Sequence, residues 1–524
     1  MSLDHAATAS DVKPKARFSA TFWLLNFIEM WERLAFYNLR VVAPIYIMQA
    51  DNPGGLHLSA EQKGIIYAWW AVFQSLLPVV TGGLSDRFGY KRTLCFAIST
   101  IIAGYVMMAF CRDLGFISNY WSFLIAIITL ATGTAFFKPA LQGSLAHQLT
   151  KATSSVGWGI FYWVVNVGAF IGHYLPALFL LQGTLFPGWF FADPNSKEAW
   201  RNLFLASAAF STLNLVLLFC FRDVPSGASK TESILHVLKR TIVNVLEPRL
   251  LCWMVIMSCF WLMMFQLWDL QPNFIADWVD SRPMAAVLRR LPEKISRLLV
   301  EETPRGLMVP QQLLLSTNAM FIILGVVGVA WLTRHMRTLS AMLLGMITAT
   351  CGVLIAGWTQ NAWVFVVGVV FFSLGEMMTG PKINEYLALI APSGKKGLYL
   401  GYVNIPVGVG VFFGSWIAGV VYGRFGEKAV LTLRYLAEHT SFAAAQSWDG
   451  RISSLESTLG VKRTEAMLKL QEVTGLDSLA ATQLLWDTYA PHYIWIPFAL
   501  IGVAAAIGLA VFGHLAKRWQ DMNA

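Results

Sequence analysis

Charge is what this chain has least of. Asp, Glu, Lys and Arg make up 13% of its 524 residues, against 56% apolar residues. A soluble globular domain carries about a quarter charged residues, so a water-solvated enzyme or a soluble basic domain is not what this composition describes. The six cysteines stand in or beside apolar runs with no CxxC spacing, which removes both a disulfide framework and a thiolate metal site. No Ser-His-Asp grouping, metal-ligand spacing or phosphate-binding loop occurs, so an enzyme is the least expected class, and no metal and no cofactor is called for. A cleavable signal peptide is not expected either: residues 1–17 are polar, and the first apolar run is too long and too charged to be the core of one.

What the chain has instead is apolar stretches of spanning length. Twelve are expected, at 18–48, 61–82, 92–111, 120–146, 157–182, 200–221, 250–275, 310–333, 339–359, 362–388, 397–421 and 491–515. The fold class that follows is an all-α membrane protein whose lipid bilayer is its solvent. Basic residues recur in alternate loops: Lys13, Lys15 and Arg17; Arg87, Lys91 and Arg92; Lys239, Arg240 and Arg249; Arg334 and Arg337; Lys395 and Lys396; Lys517 and Arg518. That bias predicts a cytoplasmic side holding both termini. The net charge of +9 is this topological bias, with an affinity for anionic lipid, and no nucleic-acid partner is expected.

The organisation expected is a tail (1–17), a six-helix bundle (18–221), a cytoplasmic linker (222–249), and helices seven to eleven of a second bundle (250–421). After these come an insertion on the outer face (422–490), helix twelve (491–515) and a cytoplasmic tail (516–524). Within the linker, Thr231 to Leu246 has the pattern of a short amphipathic helix. Residues 276–309 also fall on the outer face and carry six Arg or Lys, an exception that longer segments tolerate. Helical periodicity from Arg463 to Leu485 predicts a small cap there.

Three ionisable residues sit inside the first apolar stretch: Glu29, Glu32 and Arg33. Each costs several kcal/mol in a membrane unless paired or hydrated. On a helix, Glu29 with Glu32 and Glu29 with Arg33 share one face, so two acids and one cation converge. Such a trio can hold or release a proton, or it can be a static cluster that locks helices together.

The loop after the second stretch reads Gly82, Gly83, Leu84, Ser85, Asp86, Arg87, Phe88, Gly89, Tyr90, Lys91, Arg92, Thr93. Glycines let two helix ends approach, Asp86 can sit against a helix N-terminus and the cations face headgroups. This resembles the loop motif of the major facilitator superfamily, with twelve helices in two six-helix bundles. The resemblance makes Asp86 and Arg87 gating residues.

Further residues resemble those of the proton-dependent oligopeptide transporter family, also called the peptide/nitrate transporter family. Glu29-Met-Trp-Glu32-Arg33-Leu-Ala-Phe36-Tyr37 matches its ExxERFxYY helix except at Leu34 and Phe36, and Arg40 falls on a family arginine. Gly133 to Pro139 with Lys138, Phe161-Tyr162-Trp163 with Asn166 and Gly168, Phe260-Trp261 with Gln266, Asn318, and Gly375-Glu376 with Pro381 and Ala391-Pro392 extend the likeness over six spans.

The resemblance implies a proton-coupled symporter that imports di- and tripeptides by alternating access, driven by the proton gradient without a cofactor. Its partners would be the small-molecule substrate and protons. Glu29, Glu32 and Arg33 would couple the proton. Arg40 and Lys138 would receive the substrate carboxylate and Glu376 its ammonium, while Tyr37, Tyr162, Asn166, Gln266 and Asn318 would hydrogen-bond its backbone. For Asn166, Gln266 and Asn318 the alternative is helix-helix hydrogen bonding.

Departures leave a second reading open, a carrier of another small amino- or carboxyl-bearing metabolite. Phe36 lacks a phenol, and Lys382, Asn384 and Glu385 are polar where the family's tenth helix is apolar. Phe265 stands where the family often has an acid. Asp269 lies one turn outward of Phe265, so an Arg40–Asp269 gate pair is expected in its place, the alternative being an Asp269 hydrated at the outer interface. His173 adds a titratable group whose expected role is uncharged helix packing. A bacterial inner membrane is the expected location.

Overall fold

The structure is a computed structural model that describes residues 18–150, 153–181, 192–221, 223, 246–390, 402–440 and 448–516, the side chains of Asp86, Ser154, Ser155 and Ala388 excepted. The helix expected at 231–246 lies outside the described residues apart from Leu246, and so do Ala391 and Pro392.

The spanning helices of the first half are α1 (Ala20–Arg40), α2 (Ala60–Ala71, running through a π-helical turn at Val72–Leu76 into Pro78–Phe88), α3 (Tyr90–Phe110), α4 (Asn119–Ala146), α5 (Ser154–Pro176) and α6 (Lys197–Leu217). Those of the second are α7 (Pro248–Met264), α8 (Gln311–Thr333), α9 (Thr338–Gly357), α10 (Ala362–Ile390), α11 (Asn404–Phe425) and α12 (Trp495–Ala516). Among the described residues, eleven helices are long and apolar enough to cross a membrane. The remaining span is α1, whose Glu29, Glu32, Arg33 and Arg40 lower its apolarity. The chain is a multi-pass all-α membrane protein.

Polarity is arranged inside out. Large apolar side chains such as Trp23, Phe27, Trp121 and Leu324 point outward, where lipid would meet them, while Asn38, Ser207, Asn214 and Thr81 are buried. Lipid tails are as apolar as leucine, so burial of apolar surface does not drive helices together; close packing and hydrogen bonds do. Asn38 Nδ2 donates to Ser207 Oγ at 2.9 Å and Asn214 Nδ2 to Ile28 O at 3.0 Å, tying α1 to α6. Thr81 Oγ1 donates to Ala135 O at 2.6 Å, tying α2 to α4.

Within the halves α1 packs on α5 and α6, α3 on α4 and α6, α7 on α11 and α12, and α10 on α8 and α9. The halves meet along two seams, α2 with α11 and α5 with α8. Glycines set the first seam: a Cβ on Gly64 would stand 2.6 Å from Ser415 O, and one on Gly419 would stand 2.7 Å from Ala60 O. A side chain at either position would push the two helices apart.

The face opposite the termini carries a layer of short elements. Residues 276–309 are no simple loop: the end of helix Gln271–Trp278 is followed by helices Arg282–Leu288 and Glu293–Leu299 and a hairpin of Glu301–Thr303 with Gly306–Met308. The expected cap is present as several pieces, Lys428–His439, Leu455–Leu459, Ala466–Thr474 and Ser478–Tyr489. Its periodic stretch is split at Gly475, whose φ of +70° closes one helix before the next begins.

Candidate functional site

The charged cluster is held by α1 itself. Ser19 caps the helix by accepting from Phe22 N at 3.1 Å, and the helical repeat then stacks Glu29 beneath Arg33. Arg33 Nε lies 3.3 Å from Glu29 Oε1, the guanidinium contacts the Glu32 carboxylate, and none of the three side chains exceeds 5% exposure. The face of Phe36 lies 4.8 Å from the guanidinium carbon, so the ring that replaces the family's phenol carries Arg33 by a cation–π contact. Lys138, on α4 one residue before Pro139, is near enough to Glu29, Glu32 and Arg33 for their charges to act on it. It makes no ion pair or hydrogen bond among the described residues. The result is two acids sharing one bound cation beside a second, uncommitted one.

The opposite wall belongs to the second half. Glu376 on α10 accepts from Asn318 Nδ2 at 3.1 Å, and the same nitrogen donates to Ser373 Oγ at 3.0 Å. Tyr37 on α1 and Tyr162 on α5 both lie within reach of the Glu376 charge. Arg33, Tyr37, Tyr162 and Glu376 therefore converge between the halves. Asn166 Nδ2 donates within its own helix to Tyr162 O at 2.9 Å.

Other expected contacts are placed differently. Gln266 is fully buried, donates to Leu262 O at 2.8 Å and fills the space beside Gly414. Its amide serves the α7–α11 packing. Arg40 is buried with its guanidinium over Tyr67 and Trp70, at 4.7 and 4.4 Å from the ring centroids, and makes no ion pair or hydrogen bond among the described residues. His173 is fully buried, donates from Nδ1 to Ala169 O at 2.6 Å, and lies against the rings of Tyr37 and Trp268, in keeping with a packing role.

The expected Arg40–Asp269 pair is not formed. Asp269 is bound by Lys63 on α2, with Nζ 2.8 Å from Oδ1 and 2.7 Å from the Asp269 carbonyl oxygen, both side chains withdrawn from solvent. Lys63 wins because its flexible stem brings a compact cation to the acid, while two aromatic faces already hold the Arg40 guanidinium. The same face carries further bonds between the halves: Gln49 Nε2 to Asp277 Oδ1 at 2.7 Å, Asn273 Nδ2 to Pro44 O at 3.1 Å and Gln311 Nε2 to Val41 O at 3.0 Å. The bonds between the halves named here, with that of Arg463 to His57 O at 2.8 Å, all fall on this face. It is sealed. Lys63 carried a signal in the sequence, a lysine within the expected second span.

Comparison with known proteins agrees with this architecture. The family described as Major Facilitator Superfamily matches residues 25–278. A structure of a POT family transporter in complex with 5-aminolevulinic acid superposes with a TM-score of 0.59 at 14% identity, covering 90% of this chain and 96% of that one. Over those residues the chain is similar to the major facilitator superfamily, and its fold is that of the superposed transporter. The dipeptide and tripeptide permease A of Yersinia pestis is 23% identical over 273 residues, 51% of this chain and 46% of that protein. The di-/tripeptide transporter of Lactococcus lactis subsp. cremoris is 29% identical over 149 residues, 27% of this chain and 29% of the relative. The chain thus matches half or less of the length of these curated relatives. Within the superfamily, its motifs and these relatives make its likeness one to the proton-dependent oligopeptide transporters.

The loop after α2 docks on the segment that follows α6. Gly89 has a φ of +91°, open to glycine, and Asp223 Oδ2 lies 3.0 Å from where its Cβ would be. The Asp223 carboxylate accepts from Lys91 N at 3.2 Å at the start of α3, and Lys91 Nζ donates to Phe221 O at 2.6 Å. Arg87 is exposed and rests against Phe88, while the side chain of Asp86 lies outside the described ones. At the end of α10, Lys382 Nζ lies 2.8 Å from Glu385 Oε2, and Thr338 Oγ1 on α9 donates to Glu385 Oε1 at 2.8 Å. Those polar departures close a local network toward the termini face rather than altering the wall at Glu376.

Proposed function

We propose that the chain is a proton-coupled symporter that imports di- and tripeptides by alternating access, in an inner membrane of a bacterial cell with both termini cytoplasmic. The proton gradient drives it and no cofactor takes part. The observation that carries this reading is the polarity of the central space: uncommitted Lys138 beside the Arg33 cluster on one half, and Glu376 with Tyr37 and Tyr162 across from it.

A zwitterionic peptide suits opposite walls of this kind, with its carboxylate toward Lys138 and Arg33 and its ammonium toward Glu376. A carboxylate arriving at Arg33 competes with Glu29 and Glu32 for the guanidinium. The displaced acid loses its stabilising cation, its proton affinity rises, and a proton is taken up with substrate. Turnover reverses the exchange: with the substrate gone, Arg33 recaptures the acid and expels the proton. The closed far face supports a cycle in which substrate leaves on the termini side.

The second reading, a carrier of another small amino- or carboxyl-bearing metabolite, is favoured by the neutral residues. Gln266 is buried, and the amide nitrogens of Asn166 and Asn318 are already engaged within their own halves, so few free groups remain to read a peptide bond. The deciding experiment is the purified chain in liposomes, with internal acidification followed as di- and tripeptides, amino acids and organic acids are added outside. Acidification by peptides supports the first reading; acidification by non-peptides alone replaces it with the second.

A further inference from the structure

A cavity of about 470 Å³ lies on the face opposite the termini, beyond the Lys63–Asp269 seal and beneath the cap. Its size suits a small molecule. Both halves build it: Gln49, Asp51 and Asn52 line it from the segment between α1 and α2, and Asp277, Glu301 and Lys428 from the second half. It exists only while the halves are together on this face.

The charges lining it do not balance. Five carboxylates face it (Asp51, Asp277, Glu301, Glu302 and Glu427) against three cations. All three cations are engaged by the protein. Arg463 donates to Glu427 Oε1 and to His57 O, each at 2.8 Å. Arg305 donates to the Ala276 and Val279 carbonyls. Lys428 Nζ stands 3.8 Å from Asp51 and 4.0 Å from Asp277. Asp277 is also satisfied, by Gln49 Nε2 at 2.7 Å and the Tyr422 hydroxyl at 2.6 Å.

Glu301 and Glu302 have no hydrogen bond or ion pair among the described residues, and of the two Glu301 is the one withdrawn from solvent. One glutamine adds unmet capacity on the same wall: the side chain of Gln312, 5% exposed, has no partner among the described residues. Buried amides are almost always bonded, so the Gln312 carbonyl, with an unpaired carboxylate lining the same cavity, has room for a donor that the protein does not supply.

We infer that this cavity is a second binding site, for a small organic amine, and that its occupancy holds the two halves closed on this face. An ammonium group supplies the donors that Glu301 and Gln312 lack. A ligand that binds only the closed arrangement shifts the population toward it, so the amine acts as a brake approached from the far side. Binding depends on pH: burial and the Asp51 carboxylate raise Glu301 to about 7, against the pull of Arg305. Ammonium therefore binds best above that value, with Glu301 charged, and weakens as the pH falls to 5. The binding stands whether or not peptides are the cargo.

Calorimetry of the full chain in detergent with 1,4-diaminobutane and spermidine tests it, at pH 8 and pH 5 and at matched ionic strength. Saturable binding at pH 8 is expected, roughly tenfold weaker in Glu301→Gln and in Asp51→Asn and unchanged in Glu376→Gln. Absence of saturable binding, or equal affinity in Glu301→Gln, overturns the site. Loss in Glu376→Gln alone moves the amine to the central space and overturns it as well. For the closing effect, spin labels at Phe116→Cys and Thr359→Cys, in a chain freed of reactive cysteines, report the separation of the halves. The amine is expected to favour the short distance, and no shift or a longer distance refutes the brake.

Discussion

Lys63 Nζ and Asp269 Oδ1 stand 2.8 Å apart with both side chains out of solvent, and this single ion pair joins the second span to the seventh across the interface. A buried pair contributes little net stability, yet removing one partner strands the other charge at a cost of about 3–5 kcal/mol. Lys63→Met is therefore expected to destabilise the far-face-closed arrangement specifically. Spin-label distances across that face lengthen and the melting temperature falls. The double variant Lys63→Met with Asp269→Leu, which leaves no stranded charge, recovers the melting temperature. Equal melting of wild type and Lys63→Met would contradict a sealing role.

Glu32→Gln keeps the shape of the cluster and removes an acid. Proton-driven accumulation in liposomes is expected to stop, while counterflow exchange of labelled substrate persists, since exchange needs only alternating access around a filled site. A variant that still concentrates substrate against its gradient under an imposed pH difference would remove Glu32 from the coupling.

Glu376→Gln and Lys138→Ala each remove one wall of the central space. Loss of one partner from a buried charged contact costs about 2–5 kcal/mol, so substrate affinity measured by calorimetry is expected to fall tenfold or much more, with the fold intact. Unchanged affinity in both variants would place recognition elsewhere.

Arg463→Ala cuts the tie between the cap and the loop before α2, where Arg463 bonds both Glu427 and the His57 carbonyl. About 1–3 kcal/mol of local stability is expected to go with the unmet Glu427 carboxylate. Amide hydrogen exchange should quicken near residues 56–58 and 463–475. Exchange identical to wild type would show the cap to be held by its apolar contacts alone.

The charged cluster was legible in the sequence because ionised residues inside an apolar run stand out and the helical repeat fixes which of them meet. Glu29 and Arg33 do meet. The twelve spans were legible for the related reason that lipid enforces a length and a composition. Partners across the interface were not: placing Asp269 one turn outward of Phe265 was sound geometry along one helix, but which cation of the other half reaches it depends on packing. Tyr67 and Trp70 captured Arg40 and left Asp269 to Lys63. The burial of Gln266 was hidden for the same reason, since it depends on the approach of α11 at Gly414.

The burden of charge on α1 also bears on how the protein is made. Charged groups near a helix centre cost about 2.5–3.5 kcal/mol each on insertion from the translocon, and α1 carries three there with Arg40 at its end. Glu29, Glu32 and Arg33 offset one another along the helix, but Arg40 finds its aromatic cradle only on α2, which is synthesised afterwards. A solitary α1 is a poor passenger for the membrane. Its stable entry awaits the second helix, so the two enter as a hairpin, and a ribosome stalled between them holds an α1 that slips back toward water.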